Sequence, residues 1–262
     1  MTTITAANTA IEIGAGILLN HGLKVTSGEV KGERDYVTEI DKHIEKAVRD
    51  ALAKITPDIP FLGEEFGGRN PHNGLCWVLD PIDGTVNFMR GSPLCGISLA
   101  LLEDGVAQIG IIDFPFLKER FSAQQGSGAT LNGIKLPGPQ GRLTHEAVVG
   151  VGDFATGPDS SLRNAATMKL MDKLASQVLR VRMLGTAAAQ LAWLAAGRLD
   201  ISITLSNKPW DVQAGILIAK ESGCEIFDIT GDAHSIDARC TLAAHSSLKP
   251  FVLTSLHQSF NV

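Results

Sequence analysis

The 262 residues allow one large domain or two closely packed halves. Hydrophobic residues make up 44% and charged residues 19%, the balance of a folded globular chain rather than a disordered one. A formal net charge of −5 without any Lys/Arg cluster argues against a nucleic-acid surface, and the longest apolar runs are about half the roughly 18 residues of a membrane helix.

The chain has no basic residue before Lys24, unlike a secretory signal. Cys76, Cys95, Cys224 and Cys240 show neither CxxC pairing nor metal-finger spacing, so reduced thiols in a cytoplasmic protein are expected. In chain order, the spacing of Ile11, Ala15 and Leu18 predicts a helix over residues 5–20. A charged, glycine-containing stretch over residues 27–35 reads as a mobile loop. A second helix starts near Thr38, carries Ile40, Ile44, Val48 and Leu52 on one face, and stops before Pro57.

From Cys76 the pattern changes to strands. Residues 76–79 form a short apolar run that is expected to end at Asp80-Pro81, because proline cannot donate to a ladder. Residues 94–102 and 106–114 flank Glu103-Asp104-Gly105 and read as a hairpin, with further short strands over 121–136. The Pro/Gly-rich segment 136–143 is the candidate boundary between halves 1–140 and 141–262. Beyond it come a strand near Ala147, helices over 158–178 and 186–196, and an alternating strand over 200–205. A further apolar helix opens at Trp210-Asp211 and ends at Gly223. The sum is an α+β chain, antiparallel first and alternating later.

Asp80 and Asp83 stand in Asp80-Pro81-Ile82-Asp83-Gly84-Thr85, where a stiff turn can aim both carboxylates and the Ile82 carbonyl at one point. All-oxygen ligands of this kind suit Mg²⁺. By itself the motif is also a good turn, since Asp, Pro and Gly are the usual turn residues. Two further acidic places strengthen the metal reading. Glu64 and Glu65 sit between apolar Phe61-Leu62 and Gly67-Gly68, and Asp211 heads a helix, where it could equally be an N-cap.

Gly63-Glu64-Glu65, the Asp80–Thr85 motif and Trp210-Asp211-Val212-Gln213-Ala214-Gly215 together resemble the three signatures of the inositol monophosphatase family. They come in order and span nearly the whole chain, with Val37-Thr38-Glu39-Ile40-Asp41 and Gly185-Thr186-Ala187-Ala188 as supporting pieces. The resemblance implies a layered αβαβα sugar-phosphatase fold, a homodimer, and two or three Mg²⁺ ions held by Glu64, Asp80, Ile82, Asp83 and Asp211. It gives Thr85 and Asp41 the preparation of the attacking water, with Glu64 in support; Asp41 also fits a capping pair with Thr38. Gly84 and Thr85 would hold the phosphate, and Gly185, Thr186, Ala187 and Asp211 the rest of the substrate. Lys31 would stand near a third metal, or equally be a solvated surface lysine; Glu65 would support Glu64.

Thr204 falls where relatives that act on inositol phosphate carry an acidic substrate contact. The expected activity is hydrolysis of a small sugar or polyol phosphate, inositol-1-monophosphate leading, with histidinol phosphate and fructose 1,6-bisphosphate as alternatives. A regulatory interaction protein retaining the fold is the non-phosphatase alternative. Gly150-Val151-Gly152-Asp153-Phe154-Ala155 matches a dinucleotide fingerprint, but no helix is expected directly after it.

Overall fold

The computed structural model describes residues 2–32, 35–158 and 160–260, with residue 35 by its backbone alone. Helices α1 (Thr3–His21) and α2 (Glu39–Ile55) flank a small antiparallel hairpin, β1 (Glu29–Gly32) with β2 (Asp35–Val37). The mobile loop expected over residues 27–35 is therefore corrected to a hairpin, with residues 33–34 of that expectation lying outside the described residues. The stretch has too few apolar residues to show strand alternation. Charge helps to hold it instead: Lys42 reaches Glu29 at 2.6 Å.

Next come β3 (Phe61–Gly63), β4 (Gly67–Gly68), β5 (Leu75–Asp83), the short helix α3 (Thr85–Met89), β6 (Gly96–Glu103) and β7 (Val106–Phe114). Then β8 (Glu119–Gln124), β9 (Ala129–Leu131) and β10 (Ile134–Lys135) complete an eight-stranded sheet in the order β10-β9-β8-β7-β6-β5-β3-β4. The sheet is antiparallel except where β3 runs parallel to β5. The β6–β7 hairpin turns on Asp104 and Gly105, both at positive φ (48° and 78°), as a two-residue turn of the primed type requires.

One sequence expectation about this sheet fails. Strand β5 does not end at Asp80-Pro81 but runs on to Asp83, pairing Asp80 with Ser98 and then Asp83 with Gly96 across a bulge. Pro81 sits inside the bulge, where no ladder donor is needed.

The second sheet is drawn from β11 (Val148–Val151), β12 (Arg180–Arg182), β13 (Ile201–Thr204), β14 (Glu225–Phe227) and β15 (Thr241–Ala244), in the order β12-β11-β13-β15-β14. Its helices are α4 (Ser160–Gln177), α5 (Ala187–Ala195), α6 (Pro209–Glu221) and α7 (Lys249–Phe260). After β11 the next helix opens only at Ser160, which removes the dinucleotide reading of residues 150–155.

Five layers result, α1/α2, sheet, α5/α6, sheet, α4/α7, and period-2 alternation along the strands explains them. In β5, Trp77 and Leu79 pack under α1 and α2, while Cys76 and Val78 face the α5/α6 side. In β13, Ile201 and Ile203 face α4 and α7. Both faces of each sheet are covered, so the middle strands are largely buried on both sides, with polar residues such as Asp80 and Asp83 confined to a few positions. No helix among the described residues is long and apolar enough to cross a membrane.

Candidate metal centre and active site

The β5 bulge is the centre of the site. It presents Asp80, Ile82 and Asp83 and hands the chain to α3 through Gly84, whose φ of 89° suits glycine. A side chain there would also crowd the Leu94 carbonyl, 3.0 Å from a would-be Cβ, so the turn closes only without one. Asn87, one turn into α3, donates to the carbonyls of Leu94 and Leu184, both at 2.8 Å, fixing the bulge against the segment that leads to Gly185.

Glu64 and Glu65 follow β3. Their loop is held by Glu45 of α2, a fully buried carboxylate that accepts the N–H of Glu65 at 2.8 Å and of Phe66 at 3.1 Å. Arg49 pairs with the same carboxylate at 2.9 Å. Gly63 gives the Glu45 carboxylate its room, since a Cβ would lie 2.1 Å from Glu45 Oε1 and push that side chain off its partners. Sequence reading missed Glu45, although its position one helical turn after Asp41 puts two acids on the face that carries Ile44 and Val48.

Oxygens of Glu64, Asp80 and Asp211 all lie within 4.8 Å of one another. Asp83 is turned partly aside. Its Oδ2 accepts the Thr186 hydroxyl at 2.8 Å and the Ala188 N–H at 2.5 Å, so this carboxylate occupies the N-terminus of α5 as an anion would. The Thr186 hydroxyl, which also accepts the Ala189 N–H at 3.1 Å, thus serves Asp83 and the cap of α5 within the protein itself. Asp211 is not an N-cap. Lys208 takes that position, Pro209 opens α6, and Asp211 stands in its first turn.

The electrostatics are those of crowded acids. Burial pushes Asp80 well above the usual carboxylate range, and Glu64, Asp83 and Asp211 add to it. Burial raises Asp83 to about 6 against the pull of its Ala188 and Thr186 donors. Glu65 rises to about 7 through burial and Glu64, with Lys31 opposing. Lys31 Nζ lies 2.6 Å from Glu65 and 3.1 Å from Glu64. Burial works against its charge, but the two acids outweigh burial and hold its pKa above the ordinary value. An all-oxygen, buried and mutually repelling donor set fits a hard divalent cation.

Asp41 caps α2 and also stands beside Thr85. It forms a capping box with Thr38, whose N–H donates to it at 2.9 Å, and its other oxygen lies 3.4 Å from the Thr85 hydroxyl. The same hydroxyl is 3.1 Å from the Ile82 carbonyl. Burial raises Asp41 to about 6, opposed by Thr38. Thr204 ends β13 with its hydroxyl buried and without a hydrogen-bond partner. Gly185 reaches the bulge from the other half, its carbonyl 3.4 Å from a would-be Gly84 Cβ.

The model of the inositol monophosphatase family matches residues 1–260. The chain belongs to that family. It is 35% identical over 216 residues to the fructose-1,6-bisphosphatase/inositol-1-monophosphatase of Thermotoga maritima, covering 82% of this chain and 80% of that one. It is also 35% identical over 231 residues to the Nus factor SuhB of Xylella fastidiosa, covering 87% and 82%. The solved Thermotoga maritima IMPase superposes with a TM-score of 0.90 at 29% identity, covering 100% and 99% of the two chains. This family member is a phosphoric monoester hydrolase of the layered α+β fold, in a family of metal-dependent phosphatases.

Proposed function

We propose that the chain hydrolyses a small sugar or polyol phosphate, inositol-1-monophosphate first, with Mg²⁺ held by Glu64, Asp80, Asp83, Asp211 and the Ile82 carbonyl. The observation that carries this reading is the convergence of Glu64, Asp80 and Asp211 within 4.8 Å beside the Thr85–Asp41 pair. When bound, two or three such ions supply charge neutralisation of the phosphate and a lowered pKa for water.

The residues supply the rest. Thr85 Oγ1 takes a hydrogen bond from the attacking water while its own proton is directed to Asp41. The water oxygen forms the new P–O bond as its proton passes through Thr85 to Asp41, the ester P–O bond breaks, and the departing alcohol oxygen takes a proton from solvent water. Gly84 and Thr85 N–H groups, at the start of α3, hold the phosphate oxygens. Lys31 neutralises Glu64 and Glu65 until the cation enters. Gly185, Thr186 and Ala187 border the substrate, and the uncharged Thr204 leaves room for substrates other than inositol phosphate. Fructose 1,6-bisphosphate is the runner-up, supported by the double name of the Thermotoga maritima relative. Histidinol phosphate is the third candidate. The complete acid set favours catalysis over a purely regulatory role.

Phosphate release from a panel of these esters, with Mg²⁺ and with chelator, tests the reading. Asp83→Asn should abolish Mg²⁺-dependent turnover, and unchanged turnover would refute the site. Equal, slow turnover of every ester would remove inositol phosphate as the substrate. The proposal includes a cytoplasmic homodimer, whose assembly sedimentation would measure.

A further inference from the structure

Asp211 comes from a different half of the chain than Glu64 and Asp80, so something must hold it against them. The connection is short: β13 ends at Thr204 and α6 opens at Pro209, leaving residues 205–208 to set where the first turn stands. The Lys208 side chain, at the N-cap position, has no acceptor with which to cap the helix. From one side, Ser98 of β6 donates to the Trp210 carbonyl at 3.1 Å.

From the other side the connection is tied by Asn207. Its Nδ2 faces three carbonyls, Ala238 at 2.8 Å, Ile236 at 2.9 Å and Ser235 at 3.4 Å. Its Oδ1 accepts the Thr241 hydroxyl at 3.0 Å and lies 3.1 Å from His234 Nε2, which donates. Three carbonyls around the amide nitrogen fix which way the amide points, and both its donor and acceptor ends are used. No other side chain offers two N–H donors and a carbonyl acceptor at this length. Thr241 is fully buried on β15, and the loop after β14 leans on the first half through Ile236, 3.2 Å from a would-be Cβ on Gly105. Asn207 therefore joins a braced loop to the approach of α6.

We infer that Asn207, held by Thr241 and His234, is the positioning residue for Asp211, fixing the start of α6 so that the Asp211 carboxylate meets Glu64 and Asp80. The inference rests on Asp211 being a metal ligand. Partners that hydrogen-bond a metal ligand change metal affinity about 10- to 100-fold when removed, and a residue that sets the ligand's position through the backbone should act at the lower end of that range.

Calorimetry with Mg²⁺ alone tests it on wild type, Asn207→Ala, Thr241→Val and Thr241→Ser. Asn207→Ala should weaken Mg²⁺ binding about 10-fold. Thr241→Val should weaken it by a smaller factor, and Thr241→Ser, which keeps the hydroxyl, should restore it. In turnover, the Mg²⁺ concentration for half-saturation should rise more than KM for the ester. Wild-type Mg²⁺ affinity in a folded Asn207→Ala variant, even with a lowered melting temperature, overturns the inference. Should that variant not fold, wild-type affinity in Thr241→Val overturns it. Absence of Mg²⁺ binding by the wild-type protein would instead overturn the metal reading itself.

Discussion

The Thr186 hydroxyl donates to Asp83 Oδ2 at 2.8 Å across 103 residues of sequence, tying the first turn of α5 to the bulge of β5. Replacing Thr186 by Val keeps the shape and leaves the Ala188 N–H as the remaining short donor to that oxygen. Asp83 then loses part of its orientation, and Mg²⁺ affinity or kcat should fall about 10- to 100-fold, as for other partners of metal ligands. Metal titration followed by phosphate release measures it, and Thr186→Ser should recover most of the loss.

Glu45 predicts a stability effect. Its buried carboxylate accepts from two backbone N–H groups and from Arg49. Gln at this position would turn an amide N–H₂ toward one of those donors. Glu45→Gln should destabilise by about 1–3 kcal/mol, the cost of leaving buried donors unsatisfied. A urea midpoint gives the value, and a change below a few tenths of a kcal/mol would show that the Glu64 loop is held otherwise.

Asp80 should show the opposite sign. Its pKa is driven up by burial and by three neighbouring acids, so its charge opposes folding in the absence of a cation. Asp80→Asn keeps the oxygen that accepts the Ile82 N–H and removes the charge. The metal-free variant should be more stable than wild type by about 0.5–2 kcal/mol while losing activity, the usual trade at a strained functional site. Thermal melts with and without Mg²⁺ separate the effects: the wild-type rise with Mg²⁺ should vanish in the variant.

His234 sets a pH dependence. Burial, aided by Lys220 and opposed by Asp228, lowers its pKa from 6.5 to about 4. Between these values the unfolded chain binds the proton and the folded chain does not, so stability falls as pH drops from about 6.5 toward 4. The raised carboxyls, such as Asp83 and Glu65, act in the reverse sense, so the difference between wild type and His234→Gln is the measurement. On going from pH 7 to pH 4.5 the urea midpoint should change less unfavourably in the variant than in wild type, and an equal change in both would remove the His234 effect.

What the sequence made legible follows from where strong local signals exist. Helix α2 was readable because Ile44, Val48 and Leu52 repeat on one face and Thr38 caps it. The acids were readable because unusual residues stand in apolar surroundings. The bulge at Pro81 was not, since a proline rule that ends most strands has an exception only the paired strand β6 reveals. Strands β12, β14 and β15 are three or four residues long and carry no periodic signal. Glu45 and Asn207 escaped because their importance lies in partners 20 to 34 residues away, which no spacing rule predicts.

The α5/α6 layer has a consequence for anyone who would divide the molecule. These two helices cover the inner face of both sheets, yet they come entirely from the later stretch of chain. A polypeptide ending near residue 140 would leave Val78, Ala100 and Ile112 bare to water, and its complement would carry Asp211 without Glu64 or Asp80. Each fragment would hold only part of the acid cluster formed by Glu64, Asp80 and Asp211. Rejoining them would require the same apolar faces to be buried against α5 and α6 again.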